Sequence, residues 1–171
     1  MKTAIELYPE YASDEKEWGY FCSPSNYQPI LDEFGEILVQ VDDEDSAGDS
    51  RVLYRDDSRF GWLQFGWGSC SGSDALQGCS NMKEVQELID SLQSEIEWFD
   101  SQEEAIKFFE THDWEGDYSW REDKQKEFVQ RSLGILRAAY SGGPVQCQQC
   151  TKGALWRQMP EALRLEGERH D

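Results

Sequence analysis

At 171 residues the chain is long enough for one ordinary core with an appended tail and short for two domains. Its formal net charge of −19 repels nucleic-acid phosphates and anionic lipid, so direct nucleic-acid binding is disfavoured and a basic protein face is the favoured partner. No run of 18 apolar residues occurs, and the start "MKTAIELYPEYASDEKEWGYFC" lacks the apolar stretch of a signal peptide; the expectation is a soluble, cytoplasmic protein with no membrane contact.

The acidity is uneven. Residues 1–120 hold 7 Lys/Arg against 28 Asp/Glu, and residues 121–171 hold 9 against 7, so the charge belongs to the body. One acidic domain over 1–140 is expected, followed by a linker and C-terminal tail over 141–171. Seven Trp, seven Tyr and eight Phe supply an aromatic core. Five cysteines, odd in number and irregular in spacing, do not form a disulfide framework, and reduced thiols are expected.

In chain order, residues 1–30 mix strand-like and turn-like pieces: "AIELY" reads as a short strand, and Pro24 and Pro29 bracket an irregular stretch. "FGEILVQV" places Ile37, Val39 and Val41 on one face and Glu36 and Gln40 on the other, the pattern of a half-buried strand. The acidic turn "DDEDSAGDS" leads into "RVLYR" and "RFGWLQFGW", which complete an antiparallel meander. In "SNMKEVQELIDSLQ", Met82, Val85, Leu88, Ile89 and Leu92 form one helical stripe behind an N-cap at Ser80 or Asn81. "EIEWF" is a fourth short strand. Ser101 and Glu104 stand in capping-box relation ahead of Ala105, Phe108 and Phe109, which starts a second helix.

A third helix is predicted from about Arg121 to Tyr140, with Phe128, Val129, Ser132, Leu133, Leu136, Ala139 and Tyr140 on one face; "SGGP" at 141–144 ends it. The tail holds at most one short helix near "PEALRLE". Strands first and helices after point to an α+β fold: a small antiparallel β-meander sheet of three to four strands covered by about three helices.

Several patterns suggest chemistry. Gly68-Ser69-Cys70-Ser71-Gly72 fits the cysteine form of a nucleophile elbow, but that turn belongs to parallel sheets, and a thiol nucleophile needs a base. The chain has two histidines, His112 and the near-terminal His170, so the catalytic alternative is Cys70 with His112. A structural loop is the preferred reading, its glycines letting the backbone turn beneath Trp62 and Trp67.

Cys147 and Cys150 form a C-x2-C pair that Cys70 and Cys79 could complete as a four-thiolate zinc site, although the spacing of the second pair is unlike a zinc knuckle. The acidic loops at 42–50 and 112–120 fail as calcium loops, and Lys124 falls where the second would need a carboxylate. A phosphate cradle at "GWGSCSG" lacks any Lys or Arg. No cofactor is expected.

"GWLQFGWGSCSGSDALQGC" together with "WFDSQEEAIKFFETHDWEGDYSW" resembles small, acidic, uncharacterised proteins of bacteriophages and bacterial mobile elements over about residues 15–140. The resemblance implies no activity; relatives often carry a cysteine where this chain has Ser73, so a C-x2-C pair is lost here, which weakens metal binding at Cys70. A phage-type origin, rather than any known activity of that group, suggests the expectation of an anti-defence role, for example anti-CRISPR or anti-restriction.

The leading expectation is a non-enzymatic interaction protein that binds a basic, nucleic-acid-binding surface of a host or defence protein as an inhibitor or nucleic-acid mimic. Candidate contacts are Asp42, Asp43, Glu44, Asp45 and Asp49 in the first acidic loop and Glu95, Glu97, Asp100, Glu103 and Glu104 further on. Trp114, Glu115 and Asp117 join them from an aromatic-acidic stretch with Tyr118 and Trp120. Simple solubility is the competing account of the charge. The alternatives are a cysteine-dependent hydrolase or transferase using Cys70 and His112, and a zinc-stabilised adaptor.

Overall fold

The computed structural model describes residues 1–11, 23–43, 47–68, 74–114 and 121–140, with Ala139 and Tyr140 described as backbone only. The central hairpins form where alternating apolar residues meet short turns. Strands β1 (Glu36–Asp42), β2 (Gly48–Asp56), β3 (Arg59–Trp67) and β4 (Glu97–Phe99) make one antiparallel sheet in the order β1-β2-β3-β4. The register sets Val52 opposite Leu63, Leu53 opposite Trp62 and Phe60 opposite Phe99. Asp57, at φ 52°, supplies the left-handed residue of the tight β2–β3 turn.

Successive strand residues point to opposite faces, and both faces are apolar. On one, Val52, Tyr54, Leu63, Phe65 and Trp67 meet α1 (Ala4–Leu7), α2 (Gln28–Leu31), α3 (Ala75–Gly78) and α4 (Met82–Glu95). On the other, Val39, Val41, Leu53, Phe60 and Phe99 meet α5 (Gln102–Thr111) and α6 (Glu122–Tyr140). The sheet is therefore the middle of three layers. Burying each of these larger side chains is worth about 1.5–3 kcal/mol.

The α+β class, the meander and the three longer helices agree with expectation. Asn81 caps α4, its side chain accepting from the Glu84 N–H at 3.1 Å, and Ser101 caps α5, accepting from the Glu104 N–H at 3.2 Å. Residues 141–171, expected as linker and tail, lie outside the described residues.

Two expectations change. "AIELY" is not a strand: Thr3 opens α1, and Glu6 Oε2 accepts from the Thr3 N–H at 2.7 Å and its hydroxyl at 2.8 Å, a T-x-x-E capping relation that outweighs the β-branched Ile5. The shared face of Ile37, Val39 and Val41 is broken by a register irregularity between Ile37 and Val39. One inserted residue reverses every side chain beyond it, so Ile37 packs into the first core and Val39 and Val41 into the second. β1 keeps the alternating burial expected of a half-buried strand at Val39 and Val41, whereas β2 is buried from Gly48 through Tyr54 because helices cover both faces.

Candidate acidic interface

Asp43 and Asp49 of the first acidic loop turn their charge inward. Arg51 follows the alternation of β2 onto the face of Leu53, where it is fully buried. A buried guanidinium is costly without partners. Asp43 Oδ1 accepts from Arg51 Nη1 at 3.0 Å and Asp49 Oδ2 accepts from Nη2 at 3.1 Å. Asp43 also closes the β1–β2 hairpin, accepting from the Asp49 N–H at 2.9 Å through Oδ2 while its own N–H donates to the Asp49 carbonyl at 3.0 Å.

Gly48 makes room for this arrangement, because a Cβ there would lie 2.5 Å from Asp43 Cβ. The expectation that Asp43 and Asp49 are surface contacts is thus corrected. Asp42 is half-buried and accepts from Ser50 Oγ at 2.7 Å and Gln40 Nε2 at 3.2 Å. Glu44 and Asp45 lie outside the described residues.

The second acidic group stays outward. Glu95 ends α4, Glu97 is on β4, Asp100 lies between β4 and α5, and Glu103 and Glu104 occupy the first turn of α5; all five are exposed. Glu103 and Glu104 favour the positive end of that helix, and Glu104 Oε2 also accepts from the Asp100 N–H at 3.1 Å. Between Lys83 and Lys107 the chain has Glu84, Glu87, Asp90 and these five carboxylates but no Lys or Arg. Among the described residues none of the five has an ion-pair partner, whereas other surface acids, such as Glu33 with Lys2 and Glu110 with Arg137, do. β4 is an edge strand, and carboxylates there also discourage pairing with another sheet.

Beside this segment four half-buried rings reach the surface. Trp62 lies 5.9 Å from Phe108 and 5.3 Å from Trp114, centroid to centroid, and His112 lies 4.7 Å from Phe108 and 4.6 Å from Trp114. Trp62 faces Glu97 across the β3–β4 register and donates from Nε1 to Glu97 Oε2 at 3.0 Å. The aromatic group and the acidic segment are therefore continuous. Trp114 Nε1 donates to the Phe109 carbonyl at 3.2 Å, which fixes its ring. Glu115, Asp117, Tyr118 and Trp120 lie outside the described residues.

Most of the candidate cysteine chemistry falls on residues that the structure does not describe. Cys70, Cys147 and Cys150 lie outside the described residues. His112, the proposed base, packs near Trp62. Cys79 is 8% exposed and donates from Sγ to the Ala75 carbonyl at 3.3 Å; burial pushes its thiol up to about 11. Cys79 is therefore packed into the first core with its thiol protonated. Among the described residues no three His, Cys, Asp or Glu side chains converge as metal ligands.

One buried carboxylate escaped the sequence reading. Asp74, 1% exposed, accepts from the Tyr27 hydroxyl at 2.8 Å, the Gly68 N–H at 3.1 Å and the Gln77 N–H at 2.9 Å. The Tyr27 oxygen accepts in turn from the Leu76 N–H at 3.0 Å. Asp ahead of "ALQG" is an N-cap signal, yet Tyr27 is 47 residues away and only the fold brings it there. The pair ties the start and end of the glycine- and serine-rich loop.

Comparison with protein-family models, with curated proteins and with solved structures returned no match. Among the described residues no helix is long and apolar enough to cross a membrane.

Proposed function

We propose that the protein is a non-enzymatic interaction protein that binds a basic, nucleic-acid-binding surface of a host protein, and that the segment from Glu95 to Glu104 is its contact face. The supporting observation is the set of five exposed carboxylates along the α4–β4–α5 segment that have no ion-pair partner among the described residues. Carboxylates already paired on a surface contribute little to a new partner, whereas uncompensated ones steer a basic face and replace the phosphates it normally holds. Duplex DNA offers one charge per about 1.7 Å of axis, and a row of acidic side chains imitates part of that line. The likeness to phage and mobile-element proteins extends this reading to an inhibitor or nucleic-acid mimic acting on a defence nuclease or effector.

The test compares the native chain with the charge-reversed variant Glu97→Lys/Asp100→Lys/Glu103→Lys. Both are immobilised and presented with host proteins first retained on heparin, which enriches nucleic-acid-binding faces. Binding to the native chain is expected to fall steeply with added salt, to be displaced by duplex DNA, and to vanish in the variant. Retention that is indifferent to salt and to the three reversals would refute the proposal.

A further inference from the structure

The half-buried rings next to the acidic segment have the composition of an anchor site for one kind of side chain. Trp62, Phe108 and Trp114 expose part of their rings although Phe99, Phe109 and Phe128 are buried beneath them. Aromatic faces carry negative potential, and two carboxylates border them. Glu97 is held against Trp62 by the 3.0 Å hydrogen bond, and Glu104 stands one helical turn before Phe108 on α5. A group that suits this place is flat, cationic and rich in donors, able to lie on a ring while pairing with a carboxylate at its edge.

The same sheet already contains such an arrangement filled from within. Arg59 places its guanidinium 4.8 Å from the centroid of Trp98, and its Nη2 pairs with Asp56 at 2.5 Å. Trp98 is the neighbour of Glu97 on β4, and its ring packs into the opposite face of the sheet. Trp and carboxylate therefore hold an arginine on one face, and Trp62 with Glu97 repeats the pairing of ring and acid on the other, where no arginine among the described residues pairs with Glu97.

We infer that the Trp62, Phe108 and Trp114 patch, rimmed by Glu97 and Glu104, is an arginine-binding surface that selects partners presenting arginine rather than lysine. The inference rests on the reading of the Glu95–Glu104 face as a contact for basic proteins and names the side chain it takes. Arginine stacks on aromatic rings and offers a fork of donors, whereas an ammonium is a strongly hydrated point charge. The acidic segment attracts both; the rings distinguish them.

The experiment titrates the isotopically labelled full chain with nona-arginine and with nona-lysine, observing indole N–H resonances and measuring affinity. Nona-arginine is expected to bind about fivefold tighter. It is expected to shift the indole signals of Trp62 and Trp114 while that of Trp67, 4% exposed, stays in place. In Trp114→Leu the preference should fall toward unity, chiefly through loss of nona-arginine affinity. Should that variant fail to fold, Glu104→Gln, an exposed change, should weaken both peptides while retaining the preference.

Equal affinity for the two peptides, or peptide binding that leaves the Trp62 and Trp114 signals unmoved, overturns the inference and leaves the acidic face standing. If neither peptide binds, the acidic-face reading falls as well.

Discussion

Replacing Asp43 with alanine should be among the most destabilising single changes in the described chain, far beyond the loss of one carboxylate from an acidic protein. Asp43 and Arg51 are both fully buried at their side chains, and Asp43 accepts from Arg51 Nη1 at 3.0 Å and from the Asp49 N–H at 2.9 Å. Hydrogen bonds to a charged group contribute about 1.5–3 kcal/mol each, so the two together amount to roughly 3–6 kcal/mol. Breaking a buried ion pair from one side independently costs about 3–5 kcal/mol, because the guanidinium remains buried with one carboxylate fewer.

A loss of about 4 kcal/mol is a large part of the 5–15 kcal/mol that stabilises an ordinary domain. At roughly 2–4 °C per kcal/mol for a chain of this size, it lowers the melting temperature by about 8–16 °C. Urea unfolding followed by tryptophan fluorescence reads this as a lower midpoint at unchanged slope. Glu97→Gln, on an exposed edge, should stay within about 0.5 kcal/mol of the native chain and serves as the control. Were Asp43→Ala to cost less than about 1 kcal/mol, the inward-turned loop would be wrong and Asp43 would return to the surface contacts.

Gly48→Ala should destabilise by about 1–3 kcal/mol, because the added methyl would meet the Asp43 carboxylate oxygen at 2.7 Å; equal urea midpoints would contradict that packing. Cys79, buried and with its thiol pushed up to about 11, should resist a thiol-directed reagent at pH 8 in the native state and react in urea, as peptide mass analysis would show. Burial raises the phenols of Tyr8, Tyr27 and Tyr54 well above the ordinary 10.0. Their folded pKa exceeds the unfolded one, so this contribution is complete below about pH 10 and declines as pH rises further. A spectrophotometric titration should find these three phenols ionising only with alkaline unfolding; their ionisation in a folded chain near pH 10 would contradict their burial.

Much of the fold was readable because it depends on neighbours in sequence. The stripe Val85, Ile89, Leu92 and the caps at Asn81 and Ser101 act within a few residues, and the observed helices follow them. The T-A-I-E start of α1 was also local, but the strand-like look of "AIELY" hid it. The interface was legible only in part. Glu95 to Glu104 fall between helix and strand signals that already predicted exposure, and they remain outside. Asp42, Asp43 and Asp49 have the same appearance in sequence, yet two of them serve Arg51 and one does not.

What the amino-acid order determined by itself was the excess of acid over base in the first 120 residues, the antiparallel meander, and the three longer helices, since periodicity, turns and caps are short-range effects. Tertiary structure decided the rest. It covered the sheet on both faces, reversed β1 at its irregularity, and carried Arg51 into the second core, where low solvation compels nearby carboxylates to pair with it. It also set Trp62 beside Glu97, 35 residues apart in the chain, and so joined the aromatic patch to the acidic edge. Contacts at that separation depend on strand register and layer packing, which no local pattern of residues records.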